Sequence, residues 1–464
     1  MNKKCKNKKD MQVVDMTMGR PLRLIFRFAV PMFIGNIFQQ LYAMVDTIVV
    51  GHNLGDGSIA AIGASVALYS FLLHIAFGMN NGYGIVVSRC FGSHNEKELK
   101  SSIAGMMTLN VGVTLGITLI SLLFLRPLLQ FVNTPEEIFE QAYEYIVIIC
   151  MGMICTICYN MFAAILRAMG NSRAPLYFLV FSFALNIVLD VVLVAGVKAG
   201  IAGAAVATVL SQGICAVLCG GYLFKNYRTI LPKREDFQVS GLLIAELVST
   251  GISMALVHCV VDFGTMIFQR STNGLGESVI TAFTVSRRIM ETLLEPACTI
   301  AIASSVFAGQ NLGAGQMMRI KKTLKKVLGV EVLWAVAACL MVWLFGRELV
   351  TLLTGSKDGE MLQNAVMCLR IQFSFYPAVT ILMCLRETMQ AIGYKVAPVL
   401  SSVIELVMKA LAAAYLIPRF GFLGTSITEP ITWVLMMVFL SVVLGTVPVK
   451  NRTTAATDIP DDKQ

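Results

Sequence analysis

The longest charge-free stretches set the terms for this chain. No Asp, Glu, Lys or Arg occurs between Asp56 and Arg89, Lys100 and Arg126, Glu144 and Arg167, Lys198 and Lys225, or Glu429 and Lys450. Each gap holds the ~20 apolar residues a helix needs to cross a hydrocarbon core. Irregular chain and open strand edges leave backbone groups unpaired in lipid, so each gap reads as a helix. Other apolar segments are interrupted by single charges. Counting these too gives twelve spans, roughly 24–50, 58–87, 101–125, 141–167, 174–197, 201–224, 242–270, 277–308, 325–346, 361–387, 397–418 and 422–446. Several exceed the minimum length, which predicts tilt or helix continuing past the bilayer.

Composition agrees. Of 464 residues, 56% are hydrophobic and 14% charged, whereas soluble domains are about a quarter charged. A soluble enzyme, a disordered chain and a disulfide-rich secreted module are excluded. The expected fold is an all-α polytopic membrane protein of twelve transmembrane helices in two six-helix bundles.

Charge sets the orientation. With the N-terminal tail inside, 27 of the 37 Lys and Arg fall on the inner side, 6 outside and the rest within spans. By the positive-inside rule both termini are cytoplasmic. The same asymmetry accounts for the net charge of +9, so no nucleic-acid partner is needed; contact with anionic lipid suffices. The first 22 residues lack an apolar core and do not read as a cleaved signal peptide. Most of the twelve Cys lie inside spans. Cys155 and Cys158 form a C-x-x-C with no second pair or nearby His, which reads as small-residue packing.

The chain repeats itself. Leu54-Gly55 recurs as Leu275-Gly276, Ile59 and Ala61 as Ile280 and Ala282, Gly92 as Gly313, Lys100 as Lys321, and Gly200 and Gly203 as Gly421 and Gly424, all at a spacing of 221. Ala168, Gly170 and Ala174-Pro175 recur at 391, 393 and 397–398, now 223 apart. Two halves of six spans that start on the same side are parallel repeats, a common plan of secondary transporters with the substrate site between the halves. The expected layout is a basic tail (1–22), a first bundle (23–224), a polar cytoplasmic linker (225–240), a second bundle (241–446) and a C-terminal tail (447–464). Neither a P-loop, an H-E-x-x-H nor a G-x-S-x-G is present, so the chain does not read as an enzyme or an ATP-driven pump, and an ion gradient is the expected energy source.

Ionisable groups at membrane depth are expensive and are functional candidates by default. In the first span Gln39, Tyr42 and Asp46 form one polar stripe on an apolar helix. In the fifth, Asn186 and Asp190 share a face one turn apart. A desolvated carboxylate beside an amide carbonyl can take up a proton or a bound Na⁺; polar contact between helices is the alternative. In the repeat, Ile267 stands opposite Asp46, Lys409 opposite Asn186 and Ala413 opposite Asp190. Ion chemistry is therefore expected in the first half. The second half has Glu405 and Lys409, read as a buried ion pair, and Arg287, Glu291 and Glu295 along one face ahead of Pro296. Asp262 has no evident partner and is a candidate for attracting a cationic substrate, with Gln39 and Tyr42 as further cavity candidates. The 26 Met and 26 Phe suit a pocket for varied amphiphiles, although lipid-facing packing explains most of them.

These residues resemble a known family, the multidrug and toxic compound extrusion (MATE) transporters. Phe28-Ala29-Val30-Pro31, Gln39-Gln40-Leu41-Tyr42 and Val45-Asp46-Thr47-Ile48-Val49-Val50-Gly51 look like that family's first span. Residues 166–175, Leu-Arg-Ala-Met-Gly-Asn-Ser-Arg-Ala-Pro, look like its fourth-to-fifth-span loop, and 309–315, Gly-Gln-Asn-Leu-Gly-Ala-Gly, like its eighth-to-ninth. Asn186 and Asp190 match its cation-coupling pair, and Asp46 the first-span acid of the same cluster. The resemblance covers residues 15–446. It implies a pair of six-helix bundles exporting cationic or amphipathic compounds by alternating access, driven by H⁺ or Na⁺, without a cofactor, as a monomer in a prokaryotic plasma membrane. Members that couple through acids of the second half are matched poorly. The competing reading is a lipid-linked oligosaccharide flippase of the same superfamily, for which Arg287, Arg288, Arg386 and Lys409 would have to hold a pyrophosphate. A non-transporting receptor and the major facilitator plan, whose loop motif after the second span is absent, fit less well.

Overall fold

The computed structural model describes residues 14–131, 134–355 and 359–447. Residues 1–13 and 448–464, most of the two tails, lie outside the described residues, as does Lys357. All regular structure among the described residues is helical. It resolves into twelve successive helical segments. The first six are α1 (Pro21–Leu54), α2 (Asp56–Gly92), α3 (Glu96–Phe131), α4 (Glu136–Met151 with Met153–Ala168), α5 (Arg173–Gly196) and α6 (Gly200–Asn226). The second six are α7 (Gly241–Asn273), α8 (Glu277–Gly313), α9 (Met317–Thr354), α10 (Gly359–Ser374 with Tyr376–Ala391), α11 (Val396–Phe420) and α12 (Phe422–Thr446).

Among the described residues, nine of these helices are long and apolar enough to cross a membrane, or eleven when the bent α4 and α10 each count as one span. The remaining segment, α2, is the one free of charge from Asp56 to Arg89. Lipid-facing surface is plain on α3, where Val111, Leu115, Leu119 and Leu123 recur at helical spacing and are each at least 60% exposed.

Two spans expected as continuous helices are broken. Helix α4 bends by 44° at Gly152 and α10 by 54° at Phe375. The causes differ. At Gly152 a Cβ would lie 2.2 Å from the Val209 side chain, so α6 packs onto bare backbone at the bend. In α10 the break precedes Pro377, whose ring cannot continue the hydrogen-bond ladder of the segment before it. Two further irregularities are π-helical turns, Val191–Gly196 in α5 and Ala412–Leu416 in α11.

These features recur at matching places in the two halves, as do the connections. Gly55 and Gly276 both open the second helix of a hairpin with φ of 83° and 102°, a region that a side chain opposes and glycine accepts. Three buried apolar clusters form the interior. Two lie within residues 50–247, one around Tyr83, Ile165 and Cys219 that includes Leu247 of α7, and one around Ile62, Ile146 and Ile201. One lies within the later segment, around Phe283, Phe373 and Tyr376. The chain divides into two compact units at Asp262/Phe263, inside α7. The first part of α7 therefore belongs with the first unit.

Candidate functional site

In the first unit, α1, α5 and α6 bring a set of polar side chains into an apolar interior. Asn186 and Asp190 sit one turn apart on α5 and are both fully buried; the π turn begins at the residue after Asp190. Such turns add one residue to a helix and often mark functional positions. Asp46 on α1 is 7% exposed. It lies close enough to Asp190 to interact electrostatically, and Tyr145 of α4 feels both carboxyls. The Tyr42 hydroxyl is 3.2 Å from that of Ser211 on α6. Its ring, with Phe38, packs on Phe183 of α5, with centroids 6.3 and 5.7 Å apart.

What distinguishes this cluster is what its atoms lack. Asp46 Oδ1, both carboxylate oxygens of Asp190 and both amide atoms of Asn186 are buried with no hydrogen-bond partner among the described residues. A buried polar group left unpaired costs about 1–3 kcal/mol, and a buried carboxylate without a counter-charge costs more. Asp46 on α1 and Asn186 and Asp190 on α5 thus carry five such atoms. Two carboxyls and an amide carbonyl offer hard oxygen ligands for a monovalent cation; either carboxyl can instead take a proton. No group of three or more His, Cys, Asp or Glu able to hold a metal ion occurs among the described residues. Of the polar stripe expected on α1, Asp46 is buried, Tyr42 partly buried and Gln39 exposed.

Asp262 does have a partner, contrary to the reading from sequence. His74 of α2 reaches it, Nδ1 to Oδ2, at 2.7 Å, with the side chains 45% and 27% exposed. Phe77 and His258 stand alongside, their rings 6.1 Å apart, and the two imidazoles are 6.0 Å apart. The pair belongs to a seam of α2 with the first part of α7. A Cβ on Gly78 would lie 2.6 Å from the Ala255 Cα, and one on Gly82 2.6 Å from the Gly251 Cα. Arg89 Nη1 closes the other end on Glu246 Oε1 at 2.9 Å.

Several charges of the second unit are held in pairs. Lys409 Nζ donates to Glu405 Oε1 and to Thr265 Oγ1, both at 2.9 Å. Arg386 lies 3.7 Å from the other Glu405 oxygen and donates to Ser401 at 3.2 Å. Arg287 pairs with Glu291 at 2.8 Å near the surface, and Glu295 is partly buried. Gln372 donates to Glu429 at 3.0 Å.

The residue that sequence reasoning missed here is Glu331 on α9. It is fully buried, and neither carboxylate oxygen has a partner among the described residues. The signal was available: Glu331 is the one charge between Lys326 and Arg347. Tyr145 and Ser211, and Gln212 of α6, whose buried Oε1 has no hydrogen-bond partner among the described residues, were missed as well.

Comparison with known proteins bears on this arrangement. A family model described as MatE matches residues 31–192 and 253–416. The chain is 27% identical over 386 residues to "Probable multidrug resistance protein YpnP" of Bacillus subtilis (strain 168), covering 82% of this chain and 85% of that one. It is 24% identical over 386 residues to "Probable multidrug resistance protein YoeA" of the same organism, covering 82% and 83%. Among solved structures, the outward-facing conformation of a multidrug resistance MATE family transporter of the MOP superfamily superposes with a TM-score of 0.85 at 22% identity, covering 93% of this chain and 96% of that one.

Proposed function

Since the chain belongs to the MatE family, and is thus a multi-pass membrane transporter and not an enzyme, we propose that it is an antiporter exporting cationic or amphipathic compounds across a prokaryotic plasma membrane, coupled to entry of H⁺ or Na⁺. The observation that carries the coupling is the group of unpartnered buried atoms on Asp46, Asn186 and Asp190. The drug-export part rests on the kinship with multidrug resistance proteins.

In the proposed cycle, a proton or Na⁺ enters from outside and binds among Asp46, Asn186 and Asp190. It neutralises the carboxyls, and the loss of negative charge weakens the hold on a cationic substrate, which leaves. Pro31 removes one backbone hydrogen bond within α1, so packing of that helix on α5 is free to respond. The ion then departs to the cytoplasm and the restored charge favours the next substrate. The ion biases the two states only through its differential affinity for them. The chain acts as a monomer with both termini in the cytoplasm.

The flippase reading is not favoured. Of the cations it would need, Arg386 and Lys409 are already engaged by Glu405, and Arg287 by Glu291.

The test is dye transport in proteoliposomes under separately imposed pH and Na⁺ gradients, wild type beside Asp190→Asn. The expected result is transport driven by one gradient and lost in the variant; that gradient names the ion. Absence of dye movement under both gradients would overturn the exporter reading. Undiminished transport by Asp190→Asn would overturn the assignment of Asp190.

A further inference from the structure

We propose that a groove between α9 and α10, within the second unit, binds an anionic phospholipid whose phosphate is held by Arg347 and Arg370. The groove has a volume of about 560 Å³, and Trp343, Arg347, Gln363, Val366 and Arg370 are among the residues that line it. The internal repeat shows what is unusual here. Arg347 corresponds to Arg126 at the spacing of 221, and Gln363 and Val366 correspond to Glu140 and Tyr143 at the spacing of 223. In the first unit Arg126 is satisfied by the protein itself. It pairs with Glu140 at 3.2 Å, and its guanidinium lies 4.4 Å from the centre of the Tyr143 ring. In the second unit the acid has become an amide and the aromatic ring a valine. A further arginine, Arg370, stands where the first half has Val147. This version has thus lost a negative charge and gained a positive one.

Among the described residues neither arginine pairs with a carboxylate. Arg370 is held by neutral groups instead. Its guanidinium lies 5.2 Å from the centre of the Trp343 ring, and its Nη2 donates to the Trp343 carbonyl at 3.4 Å. That engages one of its five N–H donors. The position of the two cations decides which anion they meet. Trp343 and Arg370 are equally far along the chain from Thr354 and Gly359, the facing ends of α9 and α10, and so stand at one depth. Arg347 is one turn nearer those ends. Arg370 is exposed beside Val366 and Ile371, and Trp343 is 48% exposed, so this is lipid-facing surface. An arginine without a counter-charge at such depth is costly, and its side chain reaches for the phosphate layer. A guanidinium fork fits phosphate oxygens through parallel N–H bonds. The acyl chains then lie along Val366, Ile371 and the face of Trp343, while Gln363 adds an amide without an opposing charge. A soluble anion would use only the arginines. With both termini cytoplasmic, as proposed above, the groove opens to the outer leaflet.

The experiment uses the purified full-length protein in phosphatidylcholine nanodiscs. Phosphatidylglycerol or phosphatidylcholine with brominated acyl chains replaces about a tenth of the lipid, and quenching of Trp343 is read as the difference between each protein and its Trp343→Phe counterpart. Both lipids carry the phosphate, but choline supplies its own cation. Wild type is expected to prefer phosphatidylglycerol about tenfold or more. Arg347→Gln and Arg370→Gln should each cut the preference about fivefold, the worth of one basic residue at an anionic surface. Gln363→Glu, which gives Arg347 the partner that Arg126 has, should cut it similarly without removing either arginine. Arg347→Lys should keep most of it. Arg126→Gln and Asp190→Asn should leave it unchanged. Inorganic phosphate, added against sodium chloride of equal ionic strength, should not displace the lipid. Equal quenching by the two lipids overturns the site, as does a wild-type preference in Gln363→Glu or its loss in Arg126→Gln or Asp190→Asn. Displacement by inorganic phosphate would make this a site for a free anion and overturn the lipid assignment. Dye transport does not enter the readout, so the exporter reading can fail while this site stands.

Discussion

Asp190, Glu331 and Glu405 are three buried acids in three different circumstances. Among the described residues the carboxylates of Asp190 and Glu331 have no hydrogen-bond partner; Glu405 has two. The pairing predicts an asymmetry. Removing Glu405 strands Lys409 and Arg386 together, so Glu405→Ala should cost about 3–5 kcal/mol. Lys409→Met leaves Glu405 its second cation at 3.7 Å and should cost clearly less. Thermal unfolding in detergent reads both, and an equal loss would mean that Arg386 contributes nothing. Asn186→Ala and Asp190→Asn remove no existing hydrogen bond, so they should leave the unfolding temperature within a few degrees of wild type. Ion-driven efflux should nevertheless fall by tenfold or more, about 1.4 kcal/mol of lost coupling. Efflux at the wild-type rate would remove these residues from the coupling site. The sequence made Asp190 conspicuous because a second polar residue stood one turn away in an apolar run. Glu331 carries the same cost of burial without such a companion, and a lone charge near a span end reads as an interruption. His74 could not have been matched to Asp262 at all: they are 188 residues apart, and helical periodicity says nothing about which helices meet.

At the level of elements, the spans were legible because hydrophobic length is what a bilayer demands, and their interruptions were not. The bend in α4 depends on how closely Val209 of α6 approaches Gly152, a tertiary fact. The two π turns leave no compositional trace. The seam of α2 with α7 is tighter than any pattern of apolar residues conveys, and it can be tested by adding volume. Gly82→Val places new atoms where the Gly251 backbone already lies and should destabilise by about 1–3 kcal/mol. Gly112→Ala in α3, with nothing within 4 Å of its new methyl, should be neutral or gain up to about 1 kcal/mol from helix propensity. Similar unfolding temperatures for the two variants would show that α2 and α7 do not rely on this contact.

For the whole molecule, the helical plan was legible in a repeat and a dozen apolar segments and the family in short motifs, whereas the expected orientation rests on charge alone. The orientation is checkable by fusion to the C-terminus. A fluorescent protein should be bright there and alkaline phosphatase inactive; the reverse would invert the topology and with it the sense of the gradient in the proposed cycle. Several of the second unit's charges are matched to one another, whereas the first holds both the unpartnered acids and the His74–Asp262 pair. Glu331 is an exception, a carboxyl of the second unit with no hydrogen-bond partner among the described residues.

The bare approach of Gly82 to Gly251 also limits how such a protein can diversify. A methyl at Gly82 would stand where the Gly251 main chain lies, and one at Gly251 would meet the buried Tyr83 ring. No graded series of substitutions therefore leads away from the present arrangement, and drift at these two sites is closed. Variation is left to positions where an added methyl meets nothing, such as Gly112 in α3.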